Sequence, residues 1–259
     1  MANKLVFYDL VGAPGGPYYS PNTYKTRFAL LLKGIEFEVR DVKYSDLHKL
    51  AAEKGFSPIV CPLIQTPSGE YISDSWAIAE WLEENYPDAP SVFLPDSPTP
   101  VNSQSPELVV AKNYARMFTA GFGDSDPQWS TFFELVVRQL ADLFEGEDQE
   151  YFKSDKKLGP NGWATFTSLD PAPLIARAQA SILPLEHVLS SSAFLTGQKN
   201  PGFVDFVAYG RYQMLAACDA PLARTVWRRP EAPNVTAWIE RIEERFRDGL
   251  EEVLRRNPK

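Results

Sequence analysis

Residues 18–27 read Tyr-Tyr-Ser-Pro-Asn-Thr-Tyr-Lys-Thr-Arg and follow an apolar run at 5–10 and a loop rich in glycine and proline. The apolar run is typical of a strand that is covered on both faces. Ser20 followed by Pro21 predicts a helix start, because serine caps a first turn and proline lacks only an N–H that this turn leaves unused. The Ser20 hydroxyl then faces the positive end of a helix, which suits an anion. Simple capping is the alternative reading of the same two residues.

Up to residue 86 the chain alternates between strand patterns and helix patterns. The helix from Pro21 is expected to end near Lys33, with Gly34 as its C-terminal cap. There follow a half-buried strand at 37–41, a polar helix at 45–54, a hairpin at 62–72 and a helix that Asp74 and Ser75 open and Pro87 ends. The order β-α-β-α-β-β-α predicts a small α/β domain.

Beyond residue 86 the patterns change. Residues 87–106 are rich in proline, serine and asparagine, which predicts a linker. Helices are expected at 107–120, 129–144, 172–189 and 203–218, with a short one near Ala223 and a terminal one at 234–256. The stretch 145–171 is interpreted as a long loop. An all-helical region is therefore expected to follow the α/β domain.

Composition excludes several classes of function. The formal net charge of −8 and the pI of about 5.0 argue against a nucleic-acid partner and against binding to an anionic membrane. Cys61 and Cys218 form no CxxC motif, and His48 and His187 lack metal-ligand spacing, so neither a disulfide framework nor a metal centre is predicted. With no signal region and no apolar run of membrane-spanning length, a cytoplasmic protein is expected.

Three short motifs occur in an order that resembles the glutathione transferases. Ser20-Pro21 begins the first helix, Cys61-Pro62 lies where that family has a residue before a cis-proline, and Asp74-Ser75 opens the third helix. The runs at 194–197 and 203–205 are similar to the stretch that leads into a central helix of the family's helical domain. The resemblance implies a thioredoxin-like glutathione-binding domain at 1–88, a linker at 89–105 and an all-helical domain at 106–259 that contributes the electrophile pocket.

A narrower resemblance is carried by Ser20-Pro21 with Lys25-Thr26 and by Asp74-Ser75-Trp76. These residues are similar to those of the bacterial lignin β-etherases and of the related fungal class FuA. The chain departs from the family at Gly202, where serine or threonine usually caps a helix, and at Cys61, where valine is usual.

The resemblance also implies roles for individual residues, with glutathione as co-substrate. Ser20 would stabilise the glutathione thiolate, and Asn22 or Thr23 would add a second donor. Asp74 and Ser75 would hold the γ-glutamyl end, although plain helix capping explains the same pair.

The backbone at Val60, Cys61 and Pro62 would pair with the peptide of glutathione, and Lys43 or His48 would bind the glycine carboxylate. The electrophile pocket would be walled by Tyr18, Tyr19, Tyr114, Phe118 and Phe122, each of which is otherwise an ordinary core residue.

Two classes of function remain open. One is a transferase that attacks hydrophobic aromatic electrophiles, with ether cleavage as a special case. The other is a non-catalytic ligandin that binds plant phenolics with glutathione as co-ligand. Thiol-disulfide exchange is disfavoured because Ser20 stands where that chemistry needs a cysteine. A homodimer is expected from the family and from the frequency of two-fold symmetry.

Overall fold

The structure is a computed structural model that describes residues 4–55, 60–124 and 131–257. Its strands are β1 (Leu5–Leu10), β2 (Phe37–Val42), β3 (Leu63–Gln65) and β4 (Tyr71–Ser73). The helices interspersed with these strands are α1 (Pro21–Leu32), α2 (Tyr44–Lys54) and α3 (Ser75–Asn85). The later helices are α4 (Pro106–Thr119), α5 (Thr131–Asp142), α6 (Gly146–Lys153), α7 (Asp155–Leu158), α8 (Gly162–Thr167), α9 (Pro171–Leu189), α10 (Phe203–Cys218), α11 (Ala220–Trp227), α12 (Pro233–Arg245) and α13 (Arg247–Arg256).

The four strands form one mixed sheet in the order β2-β1-β3-β4. β1 runs parallel to β2, with Leu5 opposite Phe37, and antiparallel to β3, with Phe7 opposite Ile64. Every residue of β1 is buried, as its continuous apolar pattern predicts. The expected order of strands and helices up to residue 86 is confirmed, and the sheet with its flanking helices is the thioredoxin-like arrangement.

Two of the expectations for the helical region are wrong. Residues 145–171 contain the short helices α6, α7 and α8 instead of a long loop. These helices are too short to show a helical period, and buried side chains such as Phe152 and Leu158 hold them against the rest of the protein. The terminal helix is two helices, because the backbone turns at Phe246, whose ring packs on Phe28 and Phe206.

Packing against α10 fixes the start of α1. The rings of Phe28 and Phe206 stack with centroids 5.2 Å apart. A side chain at Gly210 would place its Cβ 2.5 Å from the carbonyl oxygen of Pro21, so the two helices touch backbone to backbone. The first turn of α1 is therefore held in place by the helical region.

The N-terminus of α10 depends on one buried carboxylate. Asp205 accepts hydrogen bonds from the backbone N–H groups of Gly202 and Leu195, at 3.0 and 2.7 Å, and from Nε1 of Trp238 at 2.8 Å. Burial raises the pKa of Asp205 to about 6 against the opposing effect of these donors. Gly202 provides no side-chain cap, so Asp205 binds the Gly202 N–H and the Val92 carbonyl accepts from the Phe203 N–H at 2.8 Å.

Replacing Asp205 with alanine should lower the free energy of unfolding by roughly 3–5 kcal/mol, because three buried N–H donors lose their acceptor at ~1–3 kcal/mol each. Asp170→Ala is the matched control, because this exposed residue caps α9 through one bond to Ala172 and should cost only about 1 kcal/mol. Urea denaturation of both variants measures the difference. Equal losses would contradict the role given to Asp205.

Candidate active site

Ser20 occupies the N-cap position of α1 but makes no capping hydrogen bond with its side chain. The residue is 6% exposed, and its carbonyl oxygen accepts a bond from the Thr23 hydroxyl at 3.0 Å. Ser105, which also precedes a proline, caps α4 by accepting from the Leu108 N–H at 3.2 Å. The hydroxyl of Ser105 therefore caps α4, whereas the hydroxyl of Ser20 makes no capping bond to α1.

The peptide bond between Cys61 and Pro62 is cis, as the resemblance implies. The Pro62 carbonyl accepts from the Asp74 N–H at 3.1 Å, which joins the start of β3 to the start of α3. The Cys61 sulfur lies 3.7 Å from the Tyr8 carbonyl oxygen of β1, and Val60 is 43% exposed. Burial raises the pKa of the Cys61 thiol well above its ordinary value, so this thiol stays protonated. At this end of the sheet, the Cys61-Pro62 segment offers its backbone groups to a ligand and not a reactive thiol.

Asp74 and Ser75 form the N-terminus of α3. Asp74 has a φ of 79°, which is unusual for a residue with a side chain, and its Oδ1 accepts from the N–H groups of Trp76 and Ala77 at 2.9 and 3.1 Å. Ser75 is buried. Asp74 thus caps the helix as the simpler reading expects, and the bond to Pro62 places this helix end next to the cis-proline.

Two of the buried polar atoms that have no hydrogen-bond partner among the described residues lie in the first turns of these helices. They are Oδ1 of Asn22 in the first turn of α1 and Nε1 of Trp76 in the first turn of α3. Buried polar groups are normally satisfied, so atoms of this kind are expected where a polar ligand binds. The N-terminus of each helix suits a polar, partly anionic group.

Lys43 and His48 contact α6. The ammonium of Lys43 lies 3.4 Å from Oδ2 of Asp148, and the His48 ring stands edge-on to Tyr151 with centroids 5.0 Å apart. Asp148 is 1% exposed and also accepts from the backbone N–H and the hydroxyl of Ser45, at 2.7 and 2.9 Å. These contacts fasten α2 to the helical region.

Sequence analysis missed that segment 143–158 covers this side of the α/β domain. A Cβ at Gly12 would lie 2.1 Å from the Leu143 carbonyl oxygen, and the Phe144 ring packs on Tyr19 and Tyr44 at 5.4 Å each. Reading 145–171 as a loop concealed this segment. The aromatic residues of segment 143–158 were the sequence signal that this segment packs against another part of the protein.

Tyr18 and Tyr19 are both buried, at 2% and 4% exposure. The Tyr18 ring lies between the guanidinium groups of Arg27 and Arg256, at 4.7 and 4.6 Å, and its hydroxyl donates to Asp41 at 2.8 Å. Tyr18 therefore belongs to the packing of α13 on the sheet and is not a pocket wall, a correction to the sequence expectation. Tyr19 remains beside the Ser20 end of α1, against Phe144.

Tyr114 and Phe118 of α4 and Phe122 of the turn after it form a row of rings, with centroids 6.1 and 4.9 Å apart. Phe122 continues the row onto Phe132 and Trp227 inside the helical region. Tyr114 instead lines a cavity of about 520 Å³. The walls of this cavity come from Phe93 and Leu94 of the linker, from α4, from the loop at 196–198 and from Phe203 and Val204 of α10. Tyr114 and Phe122 therefore lie in two different surroundings, a cavity and the packed interior of the helical region.

Two classes of site are not found in the described parts of the chain. Within residues 4–55, 60–124 and 131–257, no three His, Cys, Asp or Glu side chains come together as metal ligands would. None of the helices in these ranges is both long enough and apolar enough to cross a membrane.

Comparison with known proteins agrees with this architecture. Residues 19–85 match the glutathione S-transferase N-terminal domain. Maleylacetoacetate isomerase of Pseudomonas aeruginosa is 27% identical over 150 residues, which are 56% of this chain and 69% of the isomerase.

Solved structures resemble the whole chain. Glutathione transferase GSTFuA3 of Phanerochaete chrysosporium has a TM-score of 0.64 at 18% identity and covers 100% of this chain and 99% of its own. A glutathione S-transferase of Ceriporiopsis subvermispora, crystallised with glutathione, has a TM-score of 0.64 at 20% identity and covers 98% of this chain and 100% of its own. The resemblance to glutathione transferases is confirmed, with fungal FuA enzymes among the structural neighbours. Residues 19–85 match the glutathione S-transferase N-terminal domain, and the chain as a whole has the fold of the glutathione transferases.

Proposed function

We propose that the chain is a glutathione transferase in which the Ser20 hydroxyl donates a hydrogen bond to the sulfur of glutathione. The observation that carries this proposal is the unused side chain of Ser20 at a buried helix start, in contrast to the capping side chain of Ser105. A hydroxyl that caps its own helix accepts from the backbone, whereas an unused one can turn its O–H toward a ligand.

The chemistry needs a glutathione thiolate at neutral pH. A free thiol has a pKa near ~8.5, and lowering it by one unit requires ~1.4 kcal/mol of preference for the anion. A charge-assisted hydrogen bond of ~1.5–3 kcal/mol from Ser20 is sufficient, and the positive end of α1 acts in the same direction. Asn22, in the first turn of α1, is proposed as a second donor to the sulfur through its Nδ2 amide. The thiol loses its proton to water, and the thiolate sulfur then forms a bond to carbon of the electrophile. Either the leaving group departs with its electron pair, or the pair of the attacked double bond moves to the neighbouring carbon, which takes a proton from water.

The start of α3 would hold the γ-glutamyl end of glutathione. Both capping bonds of Asp74 use Oδ1, which leaves Oδ2 to accept from the γ-glutamyl ammonium. The Ser75 hydroxyl and the N-terminus of α3 suit the adjacent carboxylate. The backbone of Cys61 would pair with the cysteinyl part of glutathione, as an added strand pairs with a sheet edge.

The second substrate is proposed to be a hydrophobic aromatic electrophile, with β-aryl ethers as one candidate. The buried rings of Tyr19 and Phe144 pack on each other beside the Ser20 end of α1, so an apolar interior adjoins the expected thiolate position, which supports an apolar partner.

Replacing Ser20 with alanine should lower kcat/KM for conjugation about 10- to 100-fold, the loss of one charge-assisted hydrogen bond of ~1.5–3 kcal/mol. The pKa of bound glutathione, followed by the ultraviolet absorbance of the thiolate, should rise by about one unit or more. Stability should change little, because no capping bond is lost.

Ser105→Ala is the matched control for this variant. It should lower the free energy of unfolding by ~1 kcal/mol and leave turnover unchanged, because Ser105 does cap its helix. Full turnover in Ser20→Ala would contradict the role of Ser20, and a parallel loss of turnover in both variants would point to a structural effect.

A ligandin is the second candidate function, and the cavity that Tyr114 lines favours it. A volume of about 520 Å³ is within the range of sites for small molecules, and the rings of Phe93, Tyr114 and Phe203 suit a flat phenolic compound. We propose that phenolic ligands bind in this cavity, apart from the thiolate at Ser20.

Ala111→Phe should fill the cavity and raise the Kd for a flavonol such as quercetin by about tenfold or more, measured by calorimetry. Asn113→Phe adds the same ring at an exposed position of α4 and should leave the Kd unchanged. Conjugation should be unaffected in both variants. Competition between quercetin and glutathione, with no effect of Ala111→Phe, would assign phenolic binding to the Ser20 site instead.

A homodimer is proposed as the assembly. Val110 and Met117 lie seven residues apart on one face of α4 and are 66% and 68% exposed, which supports an apolar contact between two copies. Light scattering is expected to give twice the chain mass of 29.1 kDa, and Met117→Glu should lower it toward the monomer value. A monomeric mass for the unaltered protein would contradict the proposal.

A further inference from the structure

Helix α13 reaches back across the chain to the residues that precede Ser20. Nη1 of Arg256, at the end of α13, lies 2.5 Å from Oδ2 of Asp41 in β2, and its guanidinium lies 4.6 Å from the centroid of the Tyr18 ring. The Tyr18 hydroxyl donates to Oδ1 of the same carboxylate at 2.8 Å. Arg27 contacts the Tyr18 ring as well, at 4.7 Å. Tyr18 is therefore held both by its ring and by its hydroxyl, two residues before Ser20.

A second contact from the end of α13 acts on Tyr24 of α1. Nδ2 of Asn257, which is 7% exposed, donates to the Tyr24 hydroxyl at 3.2 Å, and this hydroxyl donates to the Tyr18 carbonyl oxygen at 2.9 Å. The backbone N–H of Tyr24 donates to the Ser20 carbonyl oxygen at 3.4 Å. Tyr24 thus bonds to both ends of segment 18–20. Burial raises the pKa of Tyr18 and of Tyr24, so both phenols remain donors while a thiol titrates.

The two arginines at the end of α13 differ in what they join. Arg255 pairs with Glu252 of its own helix, and its side chain is 68% exposed. Arg256 also pairs with Glu252, but its side chain is only 15% exposed and it reaches Asp41, 215 positions earlier. A largely buried charge pair costs more to break than an exposed pair within one helix. Arg256 is therefore the arginine that ties α13 to the segment before Ser20.

We propose that Arg256 is a positioning residue for the thiolate site: acting through Tyr18, it holds Ser20 where its hydroxyl donates to the sulfur of glutathione. This inference rests on the proposed function. The Ser20 hydroxyl makes no capping bond to α1, so its place depends on the backbone that carries it. A shift of ~1 Å in a group that acts on the reacting atoms can lower a rate about 100-fold, so a modest loosening of segment 18–20 has a measurable effect.

Replacing Arg256 with methionine removes the bond to Asp41 and the charge over the Tyr18 ring. The variant should lower kcat/KM for conjugation about 3- to 10-fold, and the pKa of bound glutathione should rise by about half a unit or more, followed by the ultraviolet absorbance of the thiolate. The Kd for S-methylglutathione, which has no thiol to ionise, should change less than about twofold in calorimetry.

A double-mutant cycle with Ser20→Ala separates positioning from a general loss of structure. If Arg256 acts through Ser20, adding Arg256→Met to Ser20→Ala should change kcat/KM and the pKa of bound glutathione by less than about twofold and a few tenths of a unit. Losses that add in full would show that Arg256 supports the fold as a whole, and would overturn the inference.

Arg255→Met is the matched control and should leave both quantities unchanged, because its ion pair is exposed and lies within α13. Equal effects of Arg255→Met and Arg256→Met would also overturn the inference. If Arg256→Met does not fold, Tyr18→Phe takes its place in the cycle, because it keeps the ring and removes the bond to Asp41. No coupling between Tyr18→Phe and Ser20→Ala would then count against it.

The same measurements separate the two levels of the argument. An unchanged pKa of bound glutathione in Ser20→Ala alone contradicts the proposed function, and this inference with it. A raised pKa in Ser20→Ala without a coupled effect of Arg256→Met overturns the inference and leaves the proposed function intact.

Discussion

Helix α1 is packed between the sheet and α10, and this burial sets the position of Ser20. Arg27, near the middle of α1, forms a buried ion pair with Asp9 of β1 at 2.8 Å, while Gly210 of α10 lets the Pro21 backbone approach from the other side. A buried ion pair contributes little net stability but is costly to break, so it fixes the orientation of the helix. A reactive group on such a helix start is more rigid than one on a loop.

Electrostatics distinguish this side of the molecule from the rest. The chain has a formal net charge of −8, yet Lys43, Lys49 and Lys157 all lie in or beside α2. Glutathione carries a net negative charge at neutral pH, and the general field of the protein repels it. Lys43 and Lys49 are paired with Asp148 and Glu147, so the positive ends of α1 and α3 are the local feature that favours an anion where the ligand would bind. The covering segment 143–158 contributes packing and no net positive charge, because its five carboxylates outnumber its three lysines.

Local signals predicted the elements that local chemistry determines. Ser20-Pro21, Gly34 and Asp74 marked helix ends correctly, and the apolar run predicted β1. The cis-proline followed only from the family resemblance. What failed depended on contacts between distant residues: Ser45 and Asp148 are 103 positions apart, and Arg256 packs on Tyr18 from the far end of the chain. Neither periodicity nor caps carry information about such pairs.

The two Ser-Pro helix starts show why a functional residue is hard to recognise from sequence. Ser20 and Ser105 have the same neighbour and the same extended backbone, with ψ angles of 118° and 137°. Only Ser105 uses its hydroxyl to cap, which is worth ~1 kcal/mol to the helix. At Ser20 that stabilisation is forgone, and the N–H groups of the first turn keep their positive potential for a ligand. Under the proposed function, stability and binding compete for the same hydroxyl, and at Ser20 binding would take it.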